Sequence, residues 1–440
     1  MNKYSMGALV AAGLLMGGLT AGSASAADFG GNCCADLEER IAELEATTAR
    51  KGNRKVSLTI SGWVAEQVMW WDDGAESNVY VGGIGTTLAS HFKMTGQATI
   101  SPGWYAGYVL HVELFSSEPL AWNAVDDGSV NGGLNTLQSF WFIKSDNLGK
   151  VSVGRQSHAS DNTAILVDGS GSLVPANWVL FDNAGFNLRT AGGGVSAVTW
   201  GDLGFCQQIG AGIGGDCNGV PLNVVRYDSP TFAGFSVSAS WGEDDMWDVA
   251  ARYAGEWGGF KVAAAAAYSE NTDELTVGPV PGGGRREVGY FQAGLYIQHV
   301  PTGLFAYGAW GQEDNKDVDL DPAGDGLGGE NYDDGDHWYV KAGLRERWTP
   351  LGHTVLYAEY AERNDMLNPL LKDTLNVTGS TKMEQYASAS CRRSTLPPCR
   401  CGSRTCLSYT SDASDDPPRR RARRSPTHTI NSTTNSEVSR

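Results

Sequence analysis

Beyond its first residues the chain lacks any apolar run of about 18 residues, so it cannot cross a bilayer as helices. It is also short of charge. Only 19 % of the residues are Asp, Glu, Lys or Arg, and the 33 bases fall below the 50 acids, for a formal net charge of −17. That balance excludes a nucleic-acid partner, because phosphate binding needs a basic face. No C-x₂-C pair marks a zinc site among the eight cysteines, and no metal or cofactor is expected. Gly192-Gly193-Gly194 and Gly282-Gly283-Gly284 lack the strand-then-helix setting of a phosphate loop. His158, Ser157, Ser160 and Asp161 contain triad ingredients but crowd one loop, and read as polar loop residues.

What the chain has in quantity is glycine (57) and aromatics (14 Trp, 16 Tyr, 13 Phe), a composition of short strands, tight turns and interfacial rings. Residues 1–26 open with Lys3, run through an apolar core and end in Ala24-Ser25-Ala26, the layout of a secretory signal peptide. Residues 27–55 read as a periplasmic linker. Within it, Leu37, Ile41 and Leu44 form a short coiled-coil-like seam, serving either an oligomer stalk or a solvated linker helix. In an oxidising compartment Cys206 and Cys217 are expected to close a Gly-rich loop as a disulfide.

From Val56 the hydropathy period becomes two. Phe235, Val237, Ala239 and Trp241 alternate with Ser236, Ser238, Ser240 and Gly242; Trp338, Val340, Ala342 and Leu344 alternate with Tyr339, Lys341, Gly343 and Arg345. Each segment is about ten residues, enough to span a bilayer as a tilted strand. Short turns such as Trp257-Gly258-Gly259 trade places with long polar loops. Lipid offers no hydrogen-bond partners, so such strands must close into a ring, apolar outside and polar inside. The expected fold is all-β, a transmembrane antiparallel β-barrel over residues 56–389. Fourteen strands are readable, starting near Val56, Ala89, Tyr105, Ser139, Lys150, Asn187, Asn223, Gly234, Trp247, Gly259, Glu287, Leu304, His337 and His353, with a fifteenth near Lys382.

Residues 390–440 break the pattern, with ten Arg, four acids, four Cys and neither Trp nor Phe, which leaves 23 bases against 46 acids elsewhere. A codon choice exists for 389–402 whose shifted frame reads IVQEIDAAAMSLW, a run of β-like residues. The tail is therefore expected to be frameshifted and disordered.

The segment CCADLEERIAELEATTARKGNRKVSLTISGWV, with VSVGRQ at 151–156 and RYDSPTFAGF at 226–235, resembles the alphaproteobacterial porin family. The resemblance implies a sixteen-stranded homotrimeric barrel in the bacterial outer membrane that passes small hydrophilic solutes and ions by diffusion. Family barrels end on an aromatic-terminated strand, whereas this chain ends at Arg440. Pore selectivity comes from opposed charges at the narrowest ring. The long segment 156–186 is the candidate to fold inward, carrying Asp161, Asp168 and Asp182. The inward parity puts Arg226, Arg252, Lys341 and Arg345 on the wall, with Arg189 nearby and Arg347 at a strand end. The expected constriction is a basic wall facing an acidic loop. The competing readings are a substrate-specific channel and a barrel-borne enzyme or adhesin. In the loop 319–330, Ala323 replaces a calcium ligand, so a solvated acidic loop is expected there.

Overall fold

The computed structural model describes residues 56–435, apart from 126–128, 178, 191, 205, 207–218, 243–244, 278–279, 320–333, 351, 368–379, 395–399 and 411–427; for 129–132, 273–286, 316–319 and 393–435 it describes the backbone alone. The signal peptide, the 36–49 helix, Cys217 and nearly all of the acidic loop lie outside the described residues.

The elements in chain order are β1 (Val56–Trp63), β2 (Glu66–Asp72), β3 (Ser77–Gly83), β4 (Ser90–Ser101), β5 (Trp104–Ser117), β6 (Ser129–Ser145) and β7 (Gly149–Gln156). An inserted stretch follows with helices α1 (Leu173–Asn177) and α2 (Val179–Asn183), strands β8 (Asn187–Arg189) and β9 (Val195–Thr199), and helix α3 (Trp200–Gly204). The ladder then resumes with β10 (Leu222–Asp228), β11 (Phe235–Gly242), β12 (Met246–Trp257), β13 (Phe260–Val277), β14 (Val280–His299) and β15 (Leu304–Asp319). It ends with β16 (Gly335–Thr349), β17 (Gly352–Asn364), β18 (Lys382–Ser394), β19 (Arg400–Thr410) and β20 (His428–Asn435).

Eighteen of these segments build one sheet, all of its neighbours antiparallel, while β8 and β9 pair only with each other. β1 and β2 are two halves of one stave and β3 and β4 two halves of the next, because β1 pairs with β4 and β2 with β3 across a single interruption. That leaves sixteen staves. The pairing returns on itself, since β20 bonds β19 on one side and β2 on the other, Glu66 opposite Asn435.

The alternation explains why this sheet forms. Val237 and Trp241 are 54 % and 62 % exposed on the outer face, whereas Ser238 and Ser240 between them are buried inside. Outward Leu295, Ile297, Trp310, Trp338 and Val340 continue the apolar band, the surface a bilayer covers. Among the described residues no helix is long and apolar enough to cross a membrane; the crossing elements are strands. Short turns sit at one end. Gly258 and Gly259, at φ 56° and 82°, supply the two left-handed residues of the β12–β13 hairpin, matching its strand twist.

Two sequence expectations change. The strand read near Asn187 is not a stave: β8 has three residues, pairs with β9 alone and belongs to the insertion. Its apolar residues pack against that insertion, so local alternation there reported a small inner hairpin. The barrel boundary expected at Ala389 falls inside β18. The ladder continues through β19 and β20, where an open sheet would leave the edges of β18 and β2 unpaired.

Candidate constriction and its anchors

Between β7 and β10 the chain leaves the wall, and the inserted stretch turns into the barrel. Its first part is fixed by the inner wall. Arg226, on β10, donates from Nη1 to the carbonyl oxygens of Ser157 (2.8 Å) and His158 (3.0 Å), while Nε and Nη2 hold Asp228 at 2.9 and 2.7 Å. Lys150 closes on the same Asp228 at 3.0 Å. Arg252, on β12, donates to Ser238 Oγ (2.6 Å), the Ala159 carbonyl (2.5 Å) and Thr163 Oγ1 (2.9 Å). Gln292 of β14 donates to the Ser160 carbonyl (3.0 Å) and accepts from the Ala164 amide (2.7 Å), and the Tyr307 hydroxyl reaches the Ala164 carbonyl at 3.0 Å. Gly294 permits this approach, because a Cβ there would overlap the Ala164 carbonyl.

Further along, Asp168 meets Lys341 in an ion pair whose two side chains are fully buried. The ammonium also lies 5.3 and 5.6 Å from the ring centroids of Tyr357 and Tyr307. Arg345 donates to the Gly169 carbonyl at 3.0 Å. The second part of the insertion packs by apolar contact. Leu180, Phe181, Phe186, Trp200 and Leu203 form one cluster with Met69, Trp71 and Tyr80 of the wall, and Trp71 stacks on Phe186 at 4.2 Å. Each such buried side chain contributes about 1.5–3 kcal/mol. Asp182 accepts from Gln67 Nε2 at 2.7 Å.

The charges read from sequence are thus mostly brought together, but as anchors. Arg226, Arg252, Lys341 and Arg345 touch the inserted segment directly. Asp168 is consumed by Lys341, Asp182 bonds an amide, and Asp161 is 4 % exposed beside Asn162, which donates to it. Burial pushes the Asp161 carboxyl above its ordinary value against the opposing pull of His158, Ser157 and Arg226. Arg189, on the inner hairpin, pairs with Asp73 at 2.8 Å and Glu76 at 3.4 Å near the β2–β3 turn. Arg347 stands apart from the insertion: it is exposed at the opposite, short-turn rim and donates to the Pro350 carbonyl at 3.3 Å.

Sequence reasoning missed Asp248 and the role of His158 and Ser160. His158 Nδ1, the Ser160 amide and Ser160 Oγ all converge on Asp248 Oδ2, at 2.6, 2.6 and 2.7 Å, and Ser240 holds the other oxygen. With His158 and Asp248 fully buried, the cluster clamps the loop to β11 and β12. The signal was the inward parity of Asp248, eight residues from Ser240, which the distance to His158 in sequence concealed. Five buried tyrosines, Tyr290, Tyr296, Tyr307, Tyr339 and Tyr357, form the inner bed beneath the loop and were also missed. Cys206 is disulfide-bonded and packs with Tyr290 and Met366.

The profile of the Gram-negative porins matches residues 8–386. The chain belongs to the Gram-negative porin family. Its match ends at Tyr386, four residues before the composition changes. Among curated proteins no sequence matches the chain. Among solved structures it is similar to Salmonella typhi OmpF in complex with daunomycin (10 % identity, 86 % of this chain and 96 % of that one, TM-score 0.51). It is also similar to the outer-membrane channel DcaP of Acinetobacter baumannii (10 % identity, 88 % and 99 %, TM-score 0.47) and to a variant of Rh. blastica porin (11 %, 86 % and 99 %, TM-score 0.44). This porin is an outer-membrane β-barrel that passes small hydrophilic solutes and ions by diffusion, with lipid outside and solute within.

Proposed function

We propose that the inserted stretch 157–204 sets the aperture of this porin, and that the channel works as a homotrimer without catalysis. The observation that carries the first point is the hydrogen bonding of the loop backbone to β10, β12, β14, β15 and β16. A loop held by five staves is a fixed internal obstruction, and permeation is then sorted by size and charge at its edge. The buried Lys341–Asp168 pair supports the same reading, since an interior ion pair is sensitive to geometry and tolerates little movement. The proposed partner of Cys206 is Cys217, which would close the far end of the insertion.

Reconstitution of the mature protein in a planar bilayer tests this. Stepwise openings in groups of three, with flux that rises linearly in solute concentration, are the expected result. Single isolated steps would refute the trimer, saturating flux would favour a substrate-specific channel, and complete silence from a folded, frame-restored chain would refute the channel itself.

A further inference from the structure

A charge sorts solutes at an aperture only where its side chain reaches the water inside it. Between residues 157 and 188 the insertion carries four titratable side chains, His158, Asp161, Asp168 and Asp182. None is more than 4 % exposed. His158 is spent on Asp248, Asp168 on Lys341 and Asp182 on Gln67, while Asp161 accepts from Asn162. The hydroxyls are spent as well. Thr163 Oγ1 accepts from Arg252 at 2.9 Å and donates to the Ala159 carbonyl at 3.2 Å, and the fully buried Ser170 and Ser172 bond each other at 2.8 Å. What this stretch leaves open to the lumen carries no polar side chain. Between residues 157 and 176 the positions that are not buried are Leu166, Gly169, Gly171, Val174 and Pro175. Gly171 marks the open edge: its φ is 87°, and a Cβ on it would meet nothing within 4 Å.

Charged side chains at an aperture hold water tightly, and the apolar flank of a passing solute must strip part of that hydration. An uncharged lip imposes no such cost. We propose that Leu166, Gly171 and Pro175 form a neutral, apolar lip on the constriction. It makes this pore favour uncharged solutes with an apolar flank, such as aryl or alkyl glycosides, over fully hydroxylated solutes of the same size. This deepens the aperture reading above and rests on it. The hydroxylated face of such a solute keeps its water, while its apolar face passes along Leu166 and Pro175. Withdrawing about 30 Å² of apolar surface from water at the lip corresponds to about threefold in partitioning.

Liposome swelling tests this with two neutral solutes of nearly equal mass, phenyl β-glucoside and glucosylglycerol, each corrected for entry into protein-free vesicles. The mature protein and its frame-restored form should admit phenyl glucoside about threefold faster. Leu166→Glu should bring the two rates together. In planar bilayers the same variant should raise the K⁺ to Cl⁻ permeability ratio about threefold or more, because ions then pass close to a fixed carboxylate. Pro175→Glu, on the short helix α1, should repeat both shifts from a second point on the lip. Equal or slower entry of phenyl glucoside in wild type overturns the lip whatever the variants do. So does a solute ratio left unmoved by both variants. Entry of neither solute through the frame-restored chain overturns instead the channel reading, and this inference with it. Should neither variant assemble, the wild-type ratio of the two solutes decides the matter alone.

Discussion

Replacing Asp168 by Asn would take from the buried Lys341 ammonium the carboxylate it is paired with under the loop. Both side chains are fully buried, and breaking an ion pair of this kind by removing one member costs about 3–5 kcal/mol. The two tyrosine rings within 5.6 Å of the ammonium recover part of that, about 0.5–2 kcal/mol. The net loss is therefore about 3 kcal/mol, which corresponds to about a hundredfold increase in the population of loop-released states. Hydrogen exchange of the amides between residues 159 and 171, followed by mass spectrometry in lipid nanodiscs, reads that population directly, and single-channel recording should show increased open-channel noise. The paired replacement Asp168→Leu with Lys341→Met should be close to neutral, because it removes both charges and leaves an apolar contact on the tyrosine bed. The reasoning fails if Asp168→Asn raises exchange less than about threefold, or if the double variant is as labile as the single one.

Gly294→Ala should push the Ala164 turn off the wall and cost about 1–3 kcal/mol, seen as a lower urea midpoint; an unchanged midpoint would mean the loop yields freely. Arg252→Met removes three hydrogen bonds to the wall and loop and should raise both conductance and noise, whereas Arg347→Met, at the short-turn rim, should alter neither. At Asp73, burial raises the carboxyl, but the amides of Glu76 and Ala75 and the Arg189 guanidinium outweigh it and hold the group below its usual value of 3.8. A folded-state value below the unfolded one means the tether is fully formed above the ordinary carboxylate range and weakens as pH falls through the lowered value. The protection of the β8–β9 hairpin amides, measured against their intrinsic exchange rate at each pH, should therefore be constant from pH 7 to 5 and fall only below 3.8; a transition near neutrality would contradict it. Restoring the shifted frame IVQEIDAAAMSLW after Ser388 should increase the yield of heat-modifiable oligomer, and equal yields would count against a frameshift.

The barrel was legible because lipid and water impose opposite demands on alternate residues, and that demand repeats along every stave. Val237, Trp241, Trp338 and Val340 announced the outer face at once. The insertion was legible only as a long interruption. Its residues obey contacts made with distant strands, such as Arg345 to Gly169 across 176 positions and Cys391 to Gly171 across 220, and no local period records those. The charges Arg226, Arg252, Lys341 and Arg345 were found by parity alone, yet parity does not say whether a wall cation faces open water or a carbonyl. In β8 a three-residue strand mimicked a stave, since alternation that short fits any two-sided hairpin.

The wall grips the insertion chiefly by main-chain oxygens: those of Ser157, His158, Ala159, Ser160, Ala164 and Gly169. A carbonyl is the same in every amino acid, so substitutions along this stretch that spare His158, Ser160, Asp168 and the apolar anchors leave most of the grip intact. The loop can therefore exchange side chains at its free edge while its path stays put. For an organism facing new antibiotics or nutrients, permeability can drift by single replacements without rebuilding the barrel, and an engineer can retune the aperture by the same route.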